Sequence, residues 1–288
     1  MWIICAFGSA LFAGITSILA KCGMKNVNSN VATALRTIVV LLFSWLLVFI
    51  KGTQSTIGTI DGRTFLFLIL SGLATGASWL CYFRALQLGD VNKVTPIDKS
   101  STILTMLLAM LFLHEEITII KIISMLFIGI GTYLMIEKKE TIVKEGITSK
   151  SWFFYAIASA VFASLTSILG KVGMENIDST LGTAIRTIVV LVMAWVVVFV
   201  TKTQSTIRDL DKRNWIFLLL SGLATGASWL CYYRALQTGP ASVVVPIDKL
   251  SILITILFSW LVFKEKLNLK SGIGLVGIVA GTLLLLCA

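Results

Sequence analysis

A chain of 288 residues that is 57% hydrophobic and only 13% charged departs from soluble domains, which are nearer half apolar and a quarter charged. Its formal net charge of +10 would suit nucleic acid. The basic residues, however, fall mostly in short segments between long apolar runs, which is the patterning of an integral membrane protein and excludes a nucleic-acid partner.

Apolar windows of about 20 residues, each long enough to cross a bilayer as a helix, lie at 2–20, 31–50, 64–88, 91–113 and 118–136. They recur at 152–170, 181–200, 214–238, 241–263 and 268–287. Backbone in lipid must satisfy its own hydrogen bonds, so helices are expected for all ten. The first run follows Met1 without a basic segment and is expected to stay in the protein rather than be cleaved as a signal. A polar stretch at 138–150 reads as a linker between two repeats, 1–137 and 151–288.

The repeat is the strongest feature of the chain. At a fixed offset of 150, 68 of 138 positions are identical, and SGLATGASWLCY stands unchanged at 71–82 and 221–232. Five helices per half is an odd number. A tandem duplication of such a unit predicts an all-α membrane protein of ten helices, in which the second five-helix repeat is inverted relative to the first.

Of the 24 basic residues, 18 lie in loops or at helix ends, and six lie inside spans: Arg36, Arg84, Lys99 and their mates Arg186, Arg234, Lys249. The acidic residues inside spans are Asp98 and Asp248. Each such charge costs about 2.5–3.5 kcal/mol at a helix centre. Lys99 lies deep in the fourth span and recurs in both halves, so it is expected to serve function. Asp98 is expected to pair with Arg84 or Lys99. Pro96 and Pro246 remove a backbone donor and are expected to kink their helices toward a cavity. Trp79, Tyr82 and their mates Trp229, Tyr232 stand on the third span of each half, where they either line a pocket or pack. Arg36 lies near its helix end and is expected to snorkel or pack. The Gly72-xxx-Gly76 spacing reads as helix packing. Thr16, Ser17, Lys21 and mates Thr166, Ser167, Lys171 make a weaker polar edge. Asn92, Thr95 and Ser100 face Ser242, Val245 and Leu250 across the repeat, so the first copy is expected to be wetter.

The five cysteines form no CxxC pair, and none neighbours His114, the single histidine. No metal, disulfide framework or cofactor is implied. An enzyme would need a convergent acid, base and nucleophile set, which an Asp-Lys pair does not supply.

These residues resemble the drug/metabolite transporter superfamily, in particular its EamA domain, present twice. The resemblance is carried by FAGITSILAK, by SGLATGASWLCYFRALQLGD leading into VTPID, by GIGTYLMIEK, and by their second-half counterparts. It implies a secondary carrier with a central cavity walled by spans one, three, four, six, eight and nine. It also implies alternating access, no covalent cofactor and a small-molecule substrate, often moved outward. The glutamate on which the small multidrug exporters of that superfamily rely is missing from spans one and six. The expected function is therefore transport of an anionic or zwitterionic metabolite, with Lys99, Lys249, Asp98, Asp248, Arg84 and Arg234 at the site. Proton coupling, a plasma (inner) membrane location and a monomer or homodimer are the accompanying expectations. A channel or a lipid-type flippase using the same groove is the alternative. The 18 basic residues in loops or at helix ends divide 14 to 4 in favour of the side opposite the N-terminus, which predicts both termini outside the cytoplasm. The resemblance implies termini inside.

Overall fold

The computed structural model describes residues 1–23, 27–88, 91–135, 151–264 and 268–287. The linker expected at 138–150 lies outside the described residues, as do the side chains of Lys21, Asn92 and Pro96. The described chain is helical, without strands. In order it forms α1 (Trp2–Gly23), α2 (Ser29–Lys51), α3 (Gly62–Leu88), α4 (Val91–Lys99), α5 (Ser101–Phe112) and α6 (Ile119–Met135). The second half repeats the series as α7 (Ser151–Gly173), α8 (Ser179–Val200), α9 (Lys212–Thr238), α10 (Ala241–Lys249), α11 (Ser251–Phe263) and α12 (Leu269–Leu284).

Among the described residues eight helical segments are long and apolar enough to cross a membrane, and Ile119–Met135 is a shorter apolar helix. The window at 91–113 does not appear among the eight. Its start, VNKVTPIDK, is more polar than the matching ASVVVPIDK, so the second-half run qualifies over Ala241–Phe258 and the first-half run does not. The fourth run of each half is divided at Ser100 or Leu250, four residues beyond the proline, where the N–H of each bonds back to Ile97 or Ile247.

Short polar side chains begin the helices at matching places. Asn28 accepts from the Asn30 N–H, and its mate Asp178 accepts from Thr180 and Leu181. Asp61 and its mate Asp211 accept from Thr64 and Asn214. Each satisfies donors that the first helical turn leaves open. Gly52 ends α2 with φ of 71°, and its mate Lys202 takes φ of 54° after α8.

The halves interleave. α1 packs on α9 and α7 on α3, while α2 meets α8 and α6 meets α12. Small residues allow the close approach. A Cβ on Gly72 would fall 2.7 Å from Val189 of α8, and one on Gly222 would fall 2.6 Å from Val39 of α2. At the α6–α12 seam a Cβ on Gly131 would fall 2.5 Å from the Gly274 carbonyl. Hydroxyls bridge the same seams: Ser78 donates to the Ser159 carbonyl and Ser228 to the Ser9 carbonyl, each at 3.1 Å. The outward faces are apolar, with Leu42, Leu46, Phe49 and Ile50 exposed on α2. That distribution, small and hydroxylic inside and apolar outside, suits a bundle in lipid.

Candidate functional site

Asp98 and Asp248 close α4 and α10 on the same turn as Lys99 and Lys249. Each carboxylate is held from the other half of the chain. Ser159 of α7 donates to Asp98 Oδ1 at 2.9 Å, and Ser9 of α1 donates to Asp248 Oδ1 at 2.5 Å. The mates Ser9 and Ser159 therefore perform the same task on opposite carboxylates. The expectation that Asp98 pairs with a cation did not foresee these hydroxyl donors, which come from helices distant in sequence.

The lysines are exposed to solvent. Lys99 is nevertheless hemmed in by protein and lies within electrostatic reach of Lys249 and Asp98. Two cations at matching places in the two halves are thus exposed, and the Lys249 charge acts on Lys99. Like charges within reach of each other disfavour their charged forms unless an opposite charge or solvent offsets the repulsion, and Asp98 is one such charge here.

Arg84 and Arg234 are exposed near the ends of α3 and α9. Arg234 Nη1 donates to Gln237 at 2.7 Å, and Gln237 in turn donates to the Met174 and Ile177 carbonyls, which tie α9 to the end of α7. Tyr82 is half-buried within electrostatic reach of Asp98 and bonds to Thr95. Tyr232 shares a hydrogen bond of 2.8 Å with Ser167 and lies near Asp248. Both tryptophans pack against buried clusters: Trp79 against Val31, Ala32 and Leu35, and Trp229 against the main core, where it also lies beside a buried guanidinium. Tyr82 thus lies near Asp98 and Tyr232 near Asp248, and both, like the tryptophans, also pack against buried clusters.

That guanidinium belongs to Arg186. It is 2% exposed, because α8 turns its polar face against α3 rather than toward a membrane surface. Nε donates to Ser71 at 2.9 Å and Nη2 to Thr75 at 2.5 Å, two hydroxyls one turn apart on α3. The rings of Tyr233 and Trp229 cover it at 4.7 and 5.4 Å. Its mate Arg36 is half-buried and reaches Ser221 at 3.4 Å. The sequence held a signal for Arg186 in the Ser-xxx-Thr hydroxyl pair of SGLATGASW, which offers two acceptors on one helix face.

The chain matches the EamA-like transporter family twice, over residues 1–137 and 150–287. An uncharacterized transporter in the cobO 3' region of Sinorhizobium sp is 48% identical over 137 residues, covering 48% of this chain and 97% of the relative. Nearly all of that relative thus corresponds to one half of this chain. The uncharacterized transporter YxxF of Bacillus subtilis (strain 168) is 25% identical over 191 residues, covering 62% of this chain and 58% of the relative. A solved crystal structure with 15% identity and a TM-score of 0.77 covers 100% of this chain and 99% of its own, which shows a shared fold. The two family matches span almost the whole chain and point to transport rather than enzymatic catalysis: the protein belongs to the EamA-like transporter family.

Proposed function

We propose that the protein is a secondary carrier that moves a small anionic or zwitterionic metabolite, outward across the plasma membrane, by alternating access. The single observation carrying this reading is that Lys99 and Lys249, at matching positions of the two halves, are both exposed and that the Lys249 charge acts on Lys99; in this reading they share one recess. An anion between two ammonium groups relieves their repulsion, so the recess favours a negative ligand group. Asp98 and Asp248 orient the lysines and are the candidate carriers of a coupling proton. Tyr82, Tyr232 and Trp229 flank the recess, Trp79 is a candidate lining residue from the first half, and Arg84 and Arg234 set the field at its rim.

In this reading the spans number ten, with α4–α5 and α10–α11 each crossing once. The odd number per half inverts one half relative to the other and places the site where the repeats meet. The divisions after Pro96 and Pro246 lie beside the charges, as expected where a discontinuous helix serves a midplane site.

The test is the double variant Lys99→Met/Lys249→Met in liposomes, after a thermal-shift screen against metabolites has identified a ligand. A ligand at 100 times its dissociation constant stabilises by about 2.7 kcal/mol. Methionine keeps the apolar stem and removes the charge, so the variant is expected to fold and to lose transport. A folded variant with full transport overturns the reading. Saturable counterflow supports a carrier, and a linear unitary current would mark a channel instead.

A further inference from the structure

We propose that Arg186 is an anion-binding residue that holds a carboxylate of the transported molecule on the guanidinium edge its own protein leaves unpaired. A guanidinium offers two edges with paired donors. Ser71 and Thr75 occupy the Nε/Nη2 edge. Tyr233 and Trp229, one turn apart on α9, lie over the plane. The remaining Nη1 is buried and has no hydrogen-bond partner. Among the described residues, the titratable groups acting on the Arg186 charge are the phenols of Tyr233 and Tyr232, and no carboxylate is one of them.

A buried cation with satisfied hydroxyl contacts but no counter-ion is costly for a static core. Hydroxyls and ring faces orient it without neutralising it, and the Nη1/Nη2 edge has the fork geometry to donate to two carboxylate oxygens. The site connects to the lysine recess through Tyr232 and Tyr233, which lie within electrostatic reach of both Arg186 and Asp248. It is also one-sided. Phe83 stands in the first half where Tyr233 stands in the second, and Arg36 is less enclosed than Arg186. Since Arg186 is 2% exposed, the site is closed in this conformation and admits a larger anion when the α3–α8 seam parts.

The identity of the anion rests on the carrier reading; the site itself does not. Formate is the probe, because it is the smallest carboxylate and suits a closed site. The melting temperature of the purified protein is measured in sodium formate against sodium chloride of equal ionic strength. Wild type is expected to be stabilised by formate, saturably. Arg186→Gln removes the fork, and Arg186→Lys keeps charge and fold while offering a single ammonium; the latter is expected to raise the apparent Kd for formate at least about tenfold. Lys99→Met/Lys249→Met is expected to keep most of the formate response. No formate response in wild type, or an undiminished one in Arg186→Lys, overturns the proposal. If the lysine variant loses the response while Arg186→Lys retains it, the lysine recess stands and the Arg186 site falls. If Arg186→Lys loses the response and the lysine variant still transports, the lysine assignment falls and the Arg186 site stands.

Discussion

Glu115 and Lys171 stand 3.8 Å apart at the N-terminus of α10. Glu115, in the segment between α5 and α6, accepts from the N–H groups of Ala241 and Ser242 at 2.5 and 3.0 Å. Lys171, near the end of α7, donates to the Gly239 carbonyl just before α10. One acidic side chain from the first half thus meets two open donors and the positive end of a second-half helix, and a lysine answers both.

Glu115→Gln keeps one acceptor and removes the charge, whereas Glu115→Ala strands both donors. The expected losses of stability are about 1 kcal/mol for Gln and about 2–3 kcal/mol for Ala. Melting temperatures of the two variants in one detergent check this order. Equal losses would show that the charge, not the pair of hydrogen bonds, holds α10 to the first half.

Ser9→Ala and Ser159→Ala each remove the donor that holds Asp248 or Asp98 from the opposite half. Each is expected to cost about 1–2 kcal/mol. Because the two serines are repeat mates in equivalent settings, the two losses should agree within about 0.5 kcal/mol. Chemical denaturation of the single and double variants checks this, and a loss at one site alone would show that only one carboxylate depends on its serine.

Lys202 carries a left-handed backbone, φ 54°, at the place where Gly52 takes 71° in the first half. A side chain costs about 1–2 kcal/mol there, partly offset by the lower unfolded-state entropy of a non-glycine residue. Lys202→Gly is expected to stabilise by about 0.5–1 kcal/mol, and Gly52→Lys to destabilise by a similar amount. A thermal scan of both variants provides the check; a lower melting temperature for Lys202→Gly would show that its ammonium contributes more than its backbone costs.

The charge bias outside the spans predicts termini outside the cytoplasm, whereas family resemblance predicts them inside. A cysteine introduced beside Met1, in a background without reactive native cysteines, is expected to react with a membrane-impermeant maleimide in intact cells. Protection until the cells are opened would reverse the assignment and show that the linker lysines do not govern insertion.

Much was legible before the fold was known. Composition and apolar run length determine a helical membrane protein, because lipid leaves the backbone no other partner than itself. The 150-residue offset pairs Ser9 with Ser159 and Asp98 with Asp248 as equivalents, and their equivalent hydrogen bonds follow. The glycines of SGLATGASW were readable as a packing seam, since only a missing side chain lets helices approach so closely. The division of the fourth run was only half legible: proline marks the region, but the helix resumes its break four residues later, where the freed turn tightens.

The tertiary structure alone decided what faces each charge. Ser159 lies 61 residues from Asp98 and Ser9 lies 239 from Asp248, so no local pattern joins them. The repeat makes Arg36 and Arg186 equal in sequence, yet one is half-buried and the other is enclosed by α3 and α9. Helical periodicity tells which residues share a face of one helix. The energy of a buried charge depends on the dipoles, rings and hydroxyls that other helices bring to it, and those arrive only when the bundle closes.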